Sequence, residues 1–230
     1  MGVFDKQGGS RPTQDVAAPE GVTGSAAKLV ERLLTMGIEG KGHFESAEAV
    51  ARAAQAKKGS AEAAVDAVVR DHLKICAASG FVTGLGGFIT LPVALPANVL
   101  GFYIVVTRMS AAVAYLRGYD LARPEVRSAV LLSLVGADAD DVLRKAGYAS
   151  SGRVATMAAE RLPGPVLMAV NKGVGFRLVT QFGKKSLTKL GRGVPLAGGL
   201  LGAGLDGFMC RRIASHVRTE FPRRDRPMTP

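Results

Sequence analysis

Tryptophan is missing from this chain, cysteine occurs twice and histidine three times. His43, His72 and His216 have no cysteine or second histidine at ligand spacing, so a zinc site has no support. His72, on an apolar helix face, reads as a core histidine. Cys76 and Cys210 lie far apart in apolar surroundings and read as two reduced, buried thiols of a cytosolic protein. The opening MGVFDKQGGSRPTQD lacks an apolar h-region, so no secretory signal is expected. Lys6 stands where a myristoylation signal needs Ser or Thr. There is no G-x-S-x-G elbow. Gly84-Leu85-Gly86 is followed by Ile89 where a dinucleotide fingerprint needs its third glycine. Gly183-Lys184-Lys185-Ser186 resembles the end of a P-loop, but Leu178 occupies the position of its first glycine. No reaction is legible, and the expectation is a non-enzymatic protein without cofactor or metal.

Period-two alternation is also absent over any long stretch, and helical spacing takes its place. Residues 1–24 are rich in Gly, Pro, Gln, Ser and Thr, and are expected to be disordered. From Ser25, Leu29, Leu33 and Met36 share a face that Gly37 or Gly40 can end. An Ala-rich helix follows over residues 45–58. Ser60 can cap the next, whose apolar stripe is Val65, Val68, His72, Ile75 and Cys76. Pro124 begins a core helix marked by Val126, Val130, Leu131 and Leu134. DADDVLRKAG then places acids at its start and cations at its end, matching the helix dipole. Residues 153–162 and 165–190 read as further helices. The expected fold is all-α, a helical bundle with two Gly/Pro-rich apolar hairpin-like segments.

Charge is missing in two places. None occurs between Lys74 and Arg108, a gap of 33 residues that holds SGFVTGLGGFITLPVALPANVLGFYIVVT. Pro92 and Pro96 argue against one straight helix there, and Pro96 suits the first turn of a new helix ending at Gly118. Its uncharged part, residues 97–107, covers about 16 Å, half of a hydrocarbon core of about 30 Å. A hairpin entering and leaving on one side is the expectation. A second apolar island covers residues 194–208. Gly80 with Gly84, and Gly198 with Gly202, have the four-residue spacing that lets helix backbones approach closely. The second gap lacks acids: between Glu160 and Asp206 there is none, yet Lys172, Arg177, Lys184, Lys185, Lys189 and Arg192 lie there. Residues 144–230 carry 16 Lys and Arg against 4 acids, whereas residues 1–143 carry 14 against 15. Leu167, Val170, Val174 and Leu178 recur beside those cations, and a helix so divided can lie on an anionic membrane surface.

The run GFVTGLGGFITLPVALPANVLGFYIVVTRMSAAVAYLRGYD resembles the EcsC family of bacterial proteins, as does LPGPVLMAVNKGVGFRLVTQFGKKSLTKLGRGVPLAGGLLGAGLDG. The likeness covers about residues 45–222. It rests on the Gly-rich run into Pro92 and Pro96, the Arg117-Gly118-Tyr119-Asp120 turn, and Pro195 with Gly198, Gly199 and Asp206. The resemblance implies an α-helical, membrane-associated protein, and it carries over no catalytic residue. The family takes its name from a gene neighbouring an ABC transporter.

The organisation expected is a disordered segment over 1–24, an EcsC-like helical domain over 25–222 and a basic tail over 223–230. The expected function is a membrane-associated accessory at the inner face of the cell membrane, peripheral or shallowly inserted. It would bind phospholipids and a transport or secretion component, such as an ABC transporter. The six cations above are the head-group candidates. Phe81, Gly84, Phe88, Pro92, Pro96, Phe102, Gly198 and Gly202 are the candidates for insertion or packing. Two alternatives stand beside this reading: a soluble carrier or enzyme for a lipid-like ligand, and a basic nucleic-acid-binding module. The second is the weaker, because only Phe176 and Phe182 lie among the cations.

Overall fold

Capping and helical spacing account for most of the element boundaries. Ser46 Oγ accepts from Ala49 N at 3.1 Å and Gly59, at φ +72°, closes the same helix. Ser60 Oγ accepts from Ala63 N at 3.3 Å and opens the next. The computed structural model describes residues 20–224 except 43, 86, 149–153 and 189–194, with side chains left out at 20–23, 85–98, 137, 155, 159 and 181–198. Among the described residues there is no strand, and nine α-helices occur. They are α1 (Glu20–Arg32), α2 (Ala47–Lys58), α3 (Ala61–Leu85), α4 (Gly87–Leu116), α5 (Pro124–Ser133), α6 (Ala139–Lys145), α7 (Val154–Ala159), α8 (Gly164–Thr188) and α9 (Pro195–Glu220). A π turn, Leu33–Ile38, continues α1, and a 3-10 turn, Gly136–Asp138, precedes α6. The chain is all-α.

The core is built around the second half of α4. From Phe102 to Leu116 almost every side chain is buried, and this segment packs on α2, α3, α5, α9 and the π turn. Thr107 and Ser110 are buried within it, yet their hydroxyls donate to Tyr103 O at 2.6 Å and Val106 O at 2.7 Å. Those local bonds satisfy polar groups that would otherwise be costly in an apolar interior. Helix α3 runs antiparallel to α4, because Arg108 meets His72 and Arg117 meets Glu62. It runs antiparallel to α9 as well, because Gly80 faces Gly202 and Asp66 pairs with Arg218. Helix α8 packs against α1, α5 and α6.

Several expectations need correction. Helix α3 ends at Leu85 and the antiparallel α4 begins at Gly87, so no helix starts at Pro96, and α4 runs unbroken through Pro92 and Pro96. An interior proline costs about 3 kcal/mol, but each removes only one backbone bond from this helix. The buried second half of α4 offsets that loss. Helix α1 starts at Glu20, five residues before Ser25. The π turn that continues it is followed by Gly40, whose φ of +73° suits glycine alone, while Gly37 lies inside that turn, where a Cβ would stand 2.8 Å from Thr107 Cβ. Ile75 leaves the expected stripe and is 41% exposed, because α4 and α9 occupy the other sides of α3. The segment expected over 153–162 is the short α7, Val154–Ala159. Residues 1–19 and 225–230, and with them nearly all of both expected terminal segments, lie outside the described residues.

One polar pair is enclosed between α3 and α4. His72 is 3% exposed; its Nδ1 donates to Val68 O at 2.8 Å, and its Nε2 accepts from Arg108 Nε at 3.3 Å. The Arg108 guanidinium stands 5.5 Å from the Phe44 ring centre. This arrangement needs a neutral imidazole. Burial pulls His72 down to about 4; Arg108 adds to the effect, while the Val68 bond and Asp71 oppose it. Between pH 6.5 and 4 the unfolded chain therefore binds more protons than the folded one, and stability rises with pH across that window. Acidification from 6.5 to 4 is expected to remove about 3 kcal/mol, measured by urea unfolding at several pH values. His72→Gln should start less stable at neutral pH and show a flatter profile. Equal slopes for the two proteins would refute this assignment.

Candidate membrane-docking face

Helices α3 and α9 touch through glycine. A Cβ on Gly80 would run into Gly202 O, and one on Gly202 would run into Gly80 O and come within 3.6 Å of Gly84 Cα. The absence of side chains is what lets the two backbones meet. Asp206 sits beside this crossing, its Oδ2 2.7 Å from where a Gly80 Cβ would be. At this end of the bundle both helices turn apolar side chains to solvent. On α9, Leu200 is 70% exposed, Leu201 55%, Leu205 39% and Phe208 62%. On α3, Val82 is 68% exposed, with Ala78 and Ile75 on the same face. The spacing 201, 205, 208, 212 is a helical stripe that ends in exposed Arg212, with exposed Arg211 beside it. Lys74, one turn before Ala78, is exposed and pairs with Asp71 at 3.5 Å.

Of the six cations expected at head groups, two have described side chains, Lys172 and Arg177. Lys172 is exposed on α8 between Met168 and Phe176, which are also exposed. Arg177 turns inward: its Nε lies 2.8 Å from Asp138 Oδ2 and its Nη2 3.7 Å from Asp141 Oδ2. It joins α8 to the start of α6 in a half-exposed ion pair. Lys184 and Lys185 belong to α8, but their side chains lie outside the described residues, as do Lys189 and Arg192 entirely.

Among the insertion or packing candidates, Gly84 and Gly202 lie at the α3–α9 crossing and Phe81 is half-buried. Gly198 begins the second turn of α9. Phe102 is core, packed edge-on to Tyr103 with ring centres 5.4 Å apart. Phe88, Pro92 and Pro96 lie on α4 with side chains outside the described residues. One described helix segment, Val99–Leu116, is long and apolar enough to cross a membrane, and 72% of it is buried within the protein. Its apolarity serves the core.

Sequence reasoning missed the exposed residues of α9. The island 194–208 was visible, but Arg211 and Arg212 fell beyond the acid-free stretch, which Asp206 closes. Extending the helical period across Asp206 would have joined Leu201, Leu205 and Phe208 to Arg212.

The turn Arg117-Gly118-Tyr119-Asp120 holds the opposite end of α9. Arg117 Nη1 donates to Arg218 O at 2.5 Å and Phe221 O at 2.8 Å, and its Nη2 donates to Glu62 Oε2 at 3.1 Å. Gly118, at φ +84°, makes the reversal after α4. Tyr119 packs edge-on to Phe221 at 5.0 Å, with Arg224 over its ring at 4.1 Å. Asp120 Oδ1 accepts from Ala122 N at 2.9 Å. Arg117 and Tyr119 thus clamp the C-terminal end of α9, away from the exposed apolar face. No group of three or more His, Cys, Asp or Glu suited to a metal ion occurs among the described residues.

No curated protein and no solved structure matches the chain. Comparison with known families matches residues 19–224 to the EcsC protein family, taking in α1, which the resemblance over about residues 45–222 left aside. With nearly the whole chain matched, this protein belongs to the EcsC family.

Proposed function

We propose that the protein docks on an anionic membrane surface through the first half of α9 and the end of α3, as a peripheral accessory to a membrane transport or secretion component. The observation that carries this reading is the exposed stripe Leu201, Leu205 and Phe208 ending in Arg211 and Arg212. Large apolar side chains turned to water at one end of a bundle, rimmed by cations, suit the boundary between acyl chains and head groups. Transfer of each such side chain out of water contributes about 1.5–3 kcal/mol. Each nearby Lys or Arg adds about 1 kcal/mol on an anionic surface. From Leu201 to Arg212 the helix rises about 16 Å, enough for a tilted α9 to seat its leucines below the phosphates and its arginines among them. Lys172 offers a further contact from α8. The inner face of the cell membrane is the proposed location, and the proposed transport partner rests on the family resemblance.

Liposome flotation tests the reading. The wild-type chain is expected to float with anionic vesicles and less with neutral ones. Leu205→Glu with Phe208→Glu should abolish flotation at every salt concentration. Arg211→Glu with Arg212→Glu should lower it chiefly at low salt, where charge is least screened. A chain that never floats, or whose flotation ignores both double variants, would overturn the proposal. Copurified lipid in a chain that never floats would instead favour the carrier reading.

A further inference from the structure

Two contacts fix the register of α3 against α9 beyond the glycine crossing. A Cβ on Gly207 would lie 3.8 Å from Ala77 Cβ, and Arg218 Nη2 lies 2.7 Å from Asp66 Oδ1. The same number of residues separates the two contacts on each antiparallel helix, a seam about 16 Å long. Residues three, four and seven apart share a helix face. Asp66, Arg70, Lys74 and Ala77 therefore line one edge of the seam, and Gly207, Arg211 and Arg218 line the other. Arg211 stands one turn after Gly207, so it falls opposite Leu73, between Arg70 and Lys74. All three cations are exposed. Asp71 stands 3.5 Å from Lys74, whereas Arg70 and Arg211 have no ion pair among the described residues.

We propose that this seam binds one phospholipid whose head group is a bare phosphate monoester, held by Arg70, Lys74 and Arg211. The inference rests on the docking reading and names the lipid that the same face selects. Past Ala77 the seam carries no cation: it opens over Gly204, where nothing lies within 4 Å of a Cβ, towards exposed Val82 and Leu200. An acyl chain laid there would place its phosphate among the cations, with the leucines of α9 below, the orientation that docking requires. Arginine pairs with phosphate oxygens through two parallel N–H bonds, and two arginines can engage one phosphate from opposite edges. Three cations against Asp71 leave the seam with a net charge of +2. A phosphate monoester, at about −1.5 to −2 near neutral pH, matches that charge, and a phosphodiester head group at about −1 leaves half of it unpaired.

Titration calorimetry of the full chain with dihexanoylphosphatidic acid, kept below its micelle concentration, tests this without a membrane. Saturable one-to-one binding is expected, about fivefold or more tighter than to dihexanoylphosphatidylglycerol. Arg70→Gln should weaken phosphatidic acid binding about fivefold, the loss of one cation. Lys57→Gln removes an equal charge from the exposed end of α2 and should change nothing. Absence of saturable binding, equal affinity for the two lipids, or an Arg70→Gln affinity equal to wild type would each overturn the proposal. So would inorganic phosphate binding as tightly as the lipid, since the acyl chain would then contribute nothing. A chain that floats with anionic vesicles but lacks this selectivity keeps the docking reading and loses this one. Selective binding by a chain that never floats removes docking and leaves the lipid site standing.

Discussion

Gly202→Val is expected to lower stability by at least about 3 kcal/mol, and to do so by forcing α9 off α3. The added Cβ runs into Gly80 O and approaches Gly80 C at 3.0 Å, and both atoms are backbone. A flexible side chain could swing aside, but an α3 carbonyl cannot move without shifting the helix. Gly80→Val should behave alike, since its Cβ meets Gly202 O and C. Gly204 supplies the control: nothing lies within 4 Å of a Cβ there, so Gly204→Ala should be neutral or gain up to about 1 kcal/mol in helix propensity. Urea unfolding of the three variants measures the difference. A Gly202→Val midpoint equal to that of the wild type would mean that the backbones do not touch.

Arg117→Met is the second large effect, with an expected loss of about 3 kcal/mol. Arg117 is 11% exposed and donates to two carbonyls at the end of α9, Arg218 O and Phe221 O. The last carbonyls of a helix have no partner within the helix, so a guanidinium there replaces water and complements the dipole. Methionine keeps the apolar stem and leaves both acceptors unbonded. The Glu62 ion pair adds little, because that carboxylate is 46% exposed and the pair is worth less than about 1 kcal/mol in water. Arg117→Lys should recover part of the loss, since one ammonium cannot present the same fork to three acceptors. Hydrogen exchange in the last turn of α9 should quicken in both variants. A loss below 1 kcal/mol for Arg117→Met would show that the clamp is held by the Tyr119–Phe221 contact alone.

The helical class, the start at Ser60, the stop at Gly118 and Gly40 as one of two candidate stops were readable because each involves atoms within about four residues of one another. The same holds for the buried face of α5, where Val126, Val130 and Leu131 recur at helical spacing. The glycine spacing was readable as two pairs, but not as partners, since Gly80 and Gly202 belong to helices that meet only in the folded chain. The prolines misled because helix propensity is local, whereas the second half of α4 is held by every helix packed around it. Arg177 looked free for the same reason: its acids, Asp138 and Asp141, arrive from α6.

By itself, then, the amino-acid order determined an all-α chain with one basic half and two apolar islands, because periodicity, caps and charge counts need no partner. Only packing decided which island is core and which meets water. Val99–Leu116 and Leu200–Phe208 are both apolar, but α2, α3, α5 and α9 enclose the first, while the second is packed on one side alone. Burial depends on how many neighbours surround a helix, and that number is set by chain segments far away in sequence.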